Sequence, residues 1–360
     1  MTQVFRPSQS GHWSKCAAYA RFTRDVPETT NDAAREGTCA AWVAEMVLND
    51  HITDANLLVG KSHQNGWVVT QPMVNDVNEY INRVNLLVGD NAIIKAEDFL
   101  VASEEPRIQG TADVSAVNDR ILDIIDLKYG RTIVETTSSQ LVCYGWGKFR
   151  TLPAGSIDKI RLSIYQPRAV HRDGTFRTRT VTPDQLHQEF TNIWVMAVEN
   201  QRSDSIATPG PHCDYCEAAA SCEALAHSVY KFAEFVQSRS QRDMTPSELG
   251  QELDFIDRAE KTINARFRAI KTEAEARMKR ESIPGWTMRP KKGNRVFTQP
   301  ALTLHLMTGV DPTVKELCTP AELERRGADK EVVKKLTKQP TTSMKLTRIT
   351  SEQISDVFDA

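Results

Sequence analysis

The stretch that most constrains this chain is Arg120 to Lys128, RILDIIDLK, an Ile- and Leu-rich run that predicts a β-strand while carrying Asp126 and Lys128 in an apolar setting. Side chains two apart on a strand point to one face, so Asp126 and Lys128 share theirs. A charged pair inside a buried strand is costly without a partner or a task. The preceding run, Ile108 to Val117, alternates loosely and predicts a second strand. Asn118-Asp119 between the two runs predicts a hairpin. That hairpin puts Asp113, from Gly110-Thr111-Ala112-Asp113, on the strand beside Asp126-Leu127-Lys128, with 12 residues between the two motifs.

An aspartate pair with a lysine on one edge of a sheet is the arrangement that phosphodiester hydrolysis needs. Hard carboxylate oxygens suit Mg²⁺ or Mn²⁺. Such an ion activates a water and neutralises transition-state charge, and an ammonium orients the water or stabilises developing negative charge. The expected ligands are Asp113 and Asp126, with Lys128 catalytic and Glu45, on an upstream helix, as a third carboxylate. D-x-K by itself is a weak signal, since most such pairs face solvent. Gln140 and Tyr144, four apart on a predicted helix, share a face and are expected to reach back over the site towards a nucleic-acid strand, although a half-buried amphipathic pair looks the same.

Periodicity predicts helices at Glu36 to Leu48, Val74 to Leu87, Glu135 to Phe149 (opening near Thr136 or Thr137), Thr182 to Glu199 and Pro246 to Arg280. Lys159 to Pro167 predicts a strand, Ser205 to Pro211 a linker, and the polar stretch from Pro312 onward short helical pieces. Charge is segregated. Asp25 to Asp126 holds 18 acidic against 6 basic residues, Lys148 to Thr180 holds 8 basic against 2 acidic, and Arg258 to Arg295 holds 12 basic against 4 acidic. An acidic core that gathers cations, flanked by basic surface, suits an enzyme acting on a polyanion. Solvated helix faces give the same pattern. With 360 residues, 40% of them hydrophobic, the chain can bury a sizeable core, and no apolar run approaches a membrane span or a secretory signal. It reads as cytoplasmic, with no membrane partner.

Seven cysteines in a reducing compartment point to metal or cluster binding rather than disulfides. Cys213-x2-Cys216-x5-Cys222 is a compact triplet that needs a fourth ligand to close a zinc site or a four-iron cluster. His212, His227 and the distant Cys16 are the candidates. Cys39, Cys143 and Cys318 are isolated and read as buried small hydrophobes.

Taken in order, these motifs resemble the PD-(D/E)xK nuclease superfamily. The nearer likeness is to its RecB-type exonuclease branch with an iron–sulfur cluster, which includes CRISPR-associated RecB-like exonucleases, AddB-type nuclease domains and phage-encoded relatives. The resemblance spans about Ser14 to Cys222 and rests on Cys16, Glu36-Gly37-Thr38 with Glu45, Gly110 to Asp113, Asp126 to Lys128, Gln140 with Tyr144, and the cysteine triplet. It implies an α/β fold: a restriction-endonuclease-like core with a central mixed sheet flanked by helices, an iron–sulfur-stapled helical region and a C-terminal helical extension. The corresponding domains are 1–230, 231–312 and 313–360. It further implies a 4Fe–4S cluster on Cys16, Cys213, Cys216 and Cys222, metal ligation by Asp113, Asp126 and the Leu127 carbonyl, and exonuclease action on DNA ends in recombination or end processing. A single-strand annealing protein and further copies of the chain are its implied partners.

One position departs from that pattern. The helix motif of the branch reads G-T-x-x-H-x-x-x-E, and its histidine helps ligate metal; here Ala41 stands in that place. A methyl cannot ligate. Two other readings therefore stay open: a nuclease-fold DNA-binding protein weakened or inactive in cleavage, and a zinc-stabilised interaction protein.

Overall fold

The computed structural model describes residues 3–26, 31–238, 245–292, 296–312, 319–325, 328–338 and 341–348. The chain forms two units, Met1–Arg266 and Phe267–Ala360. In the first, six strands make one mixed sheet: β1 (Val4–Phe5), β2 (Ile93–Ser103), β3 (Arg107–Asn118), β4 (Ile121–Leu127), β5 (Lys159–Tyr165) and β6 (Phe176–Val181). The helices of this unit are α1 (Ser10–Trp13), α2 (Tyr19–Thr23), α3 (Asp32–Leu48), α4 (Gln71–Val88), α5 (Ser139–Phe149), α6 (Pro183–Asn200), α7 (Glu223–Ser238) and α8 (Pro246–Arg277), whose length runs past the boundary between the units.

The expected hairpin is present: β3 and β4 pair antiparallel from Asn118↔Ile121 to Val114↔Ile125, with Asp119 taking φ 51° in the turn. β5 then lies parallel to β4, as a strand returning through a helix must, and β6 closes that edge antiparallel. The opposite edge of β3 carries β2. Two apolar cores sit on the two faces of the sheet. One gathers Leu122, Ile124, Ile160, Leu162 and Ile164 under α5 and α6; the other gathers Val114, Ile125 and Leu127 under α3 and α4.

Helix starts lie where side chains can cap them. Asn31 accepts from Ala34 N–H before α3, Thr70 from Met73 N–H before α4, and Thr182 with Gln185 forms a capping box before α6. The helix expected to open near Thr136 opens instead after Ser138, whose hydroxyl accepts from Gln140 N–H. Of the longer strands in the sheet, β2 and β6 escape the sequence pattern because their alternation is broken by polar residues that the fold satisfies. Asp98 on β2 is buried among Ser115 (2.7 Å), Lys95 (2.6 Å) and Lys148 (2.7 Å). On β6, Arg177 is buried and donates to the Val134 carbonyl and to Gln166.

The second unit pairs β7 (Trp286–Lys292) with β10 (Thr341–Arg348) and β8 (Val296–Phe297) with β9 (Thr337–Lys338), both antiparallel. Its helices are α9 (Ala301–Thr308), α10 (Pro320–Arg325) and α11 (Lys330–Lys335), with Leu323, Ala328 and Val333 buried together. The short helices expected after Pro312 are joined there by a strand, since the pairing partner of 341–348 lies about fifty residues upstream, beyond the reach of any local pattern. Cys318 and residues 313–318 and 349–360 lie outside the described residues. Among the described residues no helix is long and apolar enough to cross a membrane.

Candidate functional site

β3 carries two different strands on one edge: β1 at Arg107–Ile108 and β4 at Val114–Asn118. Between them no strand pairs with that edge among the described residues, and Asp113 is the first residue beyond the β4 ladder. Its side chain takes over the pairing, with Oδ2 accepting the Leu127 N–H at 2.6 Å. Asp126 stands at the facing position. It is 2% exposed; its Oδ2 lies 2.8 Å from Lys128 Nζ, and its Oδ1 is buried with no hydrogen-bond partner. The two carboxylates and the ammonium expected to converge thus do so at the end of one hairpin.

The charges perturb each other as such a grouping must. Burial, reinforced by the Asp126 charge, pushes Asp113 up to about 8, against the opposing pull of Lys128 and the Leu127 N–H. Burial on its own would lower the Lys128 pKa; Asp126 and Asp113 outweigh it and hold the amine above its ordinary range.

Gln140 and Tyr144 do reach back over this end of β4. The Gln140 Oε1 accepts from Lys128 Nζ at 2.8 Å, and its amide lies 3.4 Å from the Tyr144 hydroxyl. Tyr144 is buried, so in this arrangement the pair braces the lysine. Glu45 sits half-buried on α3, and its charge, after burial, is what raises the pKa of Glu97 on β2.

Sequence reasoning missed two members of the neighbourhood. Glu97 lies across the ladder from Asp113, between the pairs Ala96↔Val114 and Asp98↔Ala112. Tyr80, on α4, is fully buried with a hydroxyl that has no hydrogen-bond partner; burial first, then the charges of Asp113, Asp126 and Glu97, raise its pKa. The net acidity of the segment was the sole signal for Glu97, and none pointed to Tyr80.

Half of the cations of the basic segment Lys148 to Thr180 are spent on internal ion pairs. Lys148 pairs with Asp98, Arg161 with the fully buried Asp123, Arg168 with Glu36 and Arg179 with Glu189. In the later basic stretch, Arg266 donates to the carbonyls of Ala219 and Ala220, and Arg277 pairs with Glu273. These cations hold the fold, which accounts for much of the charge segregation without a polyanion.

A second constellation is built from the two ends of the first unit. Cys16, Cys213, Cys216 and Cys222 line one apolar-walled cavity together with His12 and His212. Cys39 and Cys143 are buried elsewhere in the two cores, as their isolation suggests. His227 is exposed on α7 and does not line the cavity. The N-terminal segment is tied down here by Tyr19 O–H to Glu217 (2.9 Å), Ala20 N–H to the Asn200 amide oxygen (3.0 Å) and Asn200 N–H to the Trp13 carbonyl (2.8 Å). Backbone N–H groups of Gly210 and Leu225 lie 3.4 and 3.5 Å from the sulfurs of Cys213 and Cys222. Burial raises the Cys213 pKa and pushes Cys216 up to about 12, so these thiols ionise at neutral pH only beside a cation. Among the described residues no three His, Cys, Asp or Glu side chains stand ready-drawn into a metal-binding group.

A family model described as a protein of unknown function, DUF2800, matches residues 4–352. Among solved structures the chain is similar to a presumptive exonuclease from Eubacterium rectale, at 12% identity over 69% of this chain and 93% of that one, with a TM-score of 0.36. It is also similar to an alkaline exonuclease from Laribacter hongkongensis, at 9% identity over 54% of this chain and 90% of that one, with a TM-score of 0.24. Likenesses this distant carry no weight for what this chain does.

Proposed function

This chain belongs to the DUF2800 family, and we propose that it is a Mg²⁺- or Mn²⁺-dependent nuclease that hydrolyses DNA phosphodiester bonds from ends. One observation carries the reading: Asp126 is buried with an unpartnered oxygen beside Asp113 and Lys128, at the end of the β3–β4 ladder. A buried carboxylate oxygen left without a partner is costly unless a cation completes it. The donor set is all hard oxygen, which fits a divalent ion of this class. Asp113 and Asp126 would hold it, with the Leu127 carbonyl and Glu45 as the further expected ligands.

When bound, such an ion supplies Lewis-acid polarisation and a more acidic water. The protein's own groups do the rest. Asp113 is fixed by the Leu127 N–H, so one oxygen remains free to bind. Lys128 is held by Asp126 and Gln140 with its ammonium charged, placed to orient a nucleophile or meet developing negative charge.

The test is release of nucleotides from linear duplex DNA in Mn²⁺, with Asp126→Ala as the control. Loss of release in that variant and in EDTA supports the reading; cleavage that persists in both ends it. Ala41 favours a second reading, a DNA-binding protein that does not cleave. Salt-sensitive DNA binding with no cleavage in Mn²⁺, even after Ala41→His, would select it.

A 4Fe–4S cluster on Cys16, Cys213, Cys216 and Cys222 is proposed with it. Four sulfurs line one apolar-walled cavity and two of them lie near backbone N–H groups, which suits thiolates held by a cluster. When bound, the cluster supplies a rigid cross-link. Iron and sulfide in anaerobically purified protein would support it; one zinc per colourless chain would assign the site to zinc, with the unpartnered Nε2 of His212 as the competing ligand.

A further inference from the structure

We propose that Glu97 is a further cation-binding carboxylate of this site, adding an oxygen to those of Asp113 and Asp126. The inference rests on the metal-dependent reading above and names a residue which that reading does not need.

The first support is backbone geometry. Glu97 holds φ 50° within a strand. A side chain other than glycine in that region is strained, and such strain persists where the surroundings impose it. Its effect is visible in the pleat. Ala96 packs into the core under α3 and α4, whereas Leu100 and Ala102 pack into the core under α5. β3 changes face at the same level, since Ala112 belongs to the α5 side and Val114 and Ala116 to the other. Both strands therefore reverse their faces at the one rung where Glu97 and Asp113 stand opposite each other. A reversal of this kind takes the side chain at that rung out of the strand's regular alternation.

The second support is the surroundings. Burial first, then the neighbouring Glu45 carboxylate, raise the pKa of Glu97. Glu45 lies one helical turn beyond Ala41 on α3, so the two positions share a face. Two buried polar atoms without partners lie in the same neighbourhood, the Asp126 Oδ1 and the Tyr80 hydroxyl. Glu97, Asp113 and Asp126, with Glu45 acting on Glu97, outnumber the single ammonium, Lys128, that pairs with them among the described residues. A divalent ion removes that imbalance, and Glu97 is the carboxylate the strained backbone presents to it.

Mn²⁺ titration calorimetry and thermal melts on the full chain test this, using Glu97→Gln, Glu97→Gly and Asp113→Asn. Glu97→Gln should weaken Mn²⁺ binding by about tenfold or more, in the range of lost metal-site partners. Glu97→Gly should lose as much affinity while melting higher than the unmodified chain in EDTA, because glycine takes the positive φ without strain. Ala41→His added to Glu97→Gln should recover affinity. If Glu97→Gln binds Mn²⁺ as the unmodified chain does while Asp113→Asn binds weakly, the role of Glu97 is overturned and the metal-dependent reading stands. If the unmodified chain binds no Mn²⁺, both fall together.

Discussion

Asp113 is the residue whose chemistry is most altered by its place. Burial and the neighbouring Asp126 raise it from an ordinary 3.8 to about 8. A carboxyl with a raised folded-state pKa holds its proton more tightly in the folded chain than in the unfolded one. Its contribution is complete below the unfolded pKa and is lost as pH rises through the folded value. Thermal melts in EDTA should therefore fall between about pH 4 and about pH 8, and Asp113→Asn should flatten that decline. The buried pair Asp123–Arg161 gives a second test at this scale. Asp123 is fully buried and takes two hydrogen bonds from a guanidinium that also donates to the Leu87 carbonyl. Arg161→Met should cost about 3 kcal/mol in urea unfolding because it strands a buried charge, and adding Asp123→Leu should recover most of it.

Among the elements, α5 does the most positioning. It brings Gln140 and Tyr144 to Lys128 and Lys148 to Asp98, on opposite ends of one helix. It can lie this close to the sheet because it is glycine-bearing. A Cβ at Gly147 would meet the Leu100 Cβ at 3.2 Å and the Ala102 backbone at 3.4 Å. Gly147→Leu should destabilise by about 2 kcal/mol or more in urea unfolding and weaken any activity at Lys128 with it. The hairpin β3–β4, α3, α4, α6 and β5 could be read from the chain because their signals are local: period, caps and a two-residue turn. β2 and β6 could not, since Asp98 and Arg177 look like surface residues until Lys148 and Gln166 are placed beside them.

At the scale of the whole molecule, the cysteine cavity joins residue 16 to residues 213–222. With the proposed cluster bound, Cys16→Ala should lower both the iron per chain and the melting temperature, and chelation of the unmodified protein should lower the melt in the same direction. Full iron retention in Cys16→Ala would move the fourth ligand to another residue of the cavity.

What the sequence determined by itself was a set of short-range relations. They are Asp126 and Lys128 on one strand face, Asp113 across a hairpin from them, Glu45 one turn after Ala41, and three cysteines within ten residues. Period and turn chemistry act over a few residues, so a single chain displays them. Tertiary structure decided the rest: that Glu97 faces Asp113 through a reversal of the pleat, that Tyr80 lies unpartnered beside them, that Lys148, Arg161, Arg168 and Arg179 are taken up in ion pairs, and that Cys16 lines the cavity of the triplet. Those relations depend on which side chains compensate a buried charge or complete a cavity. Residues tens to hundreds of positions apart settle that only when the two cores close around the sheet.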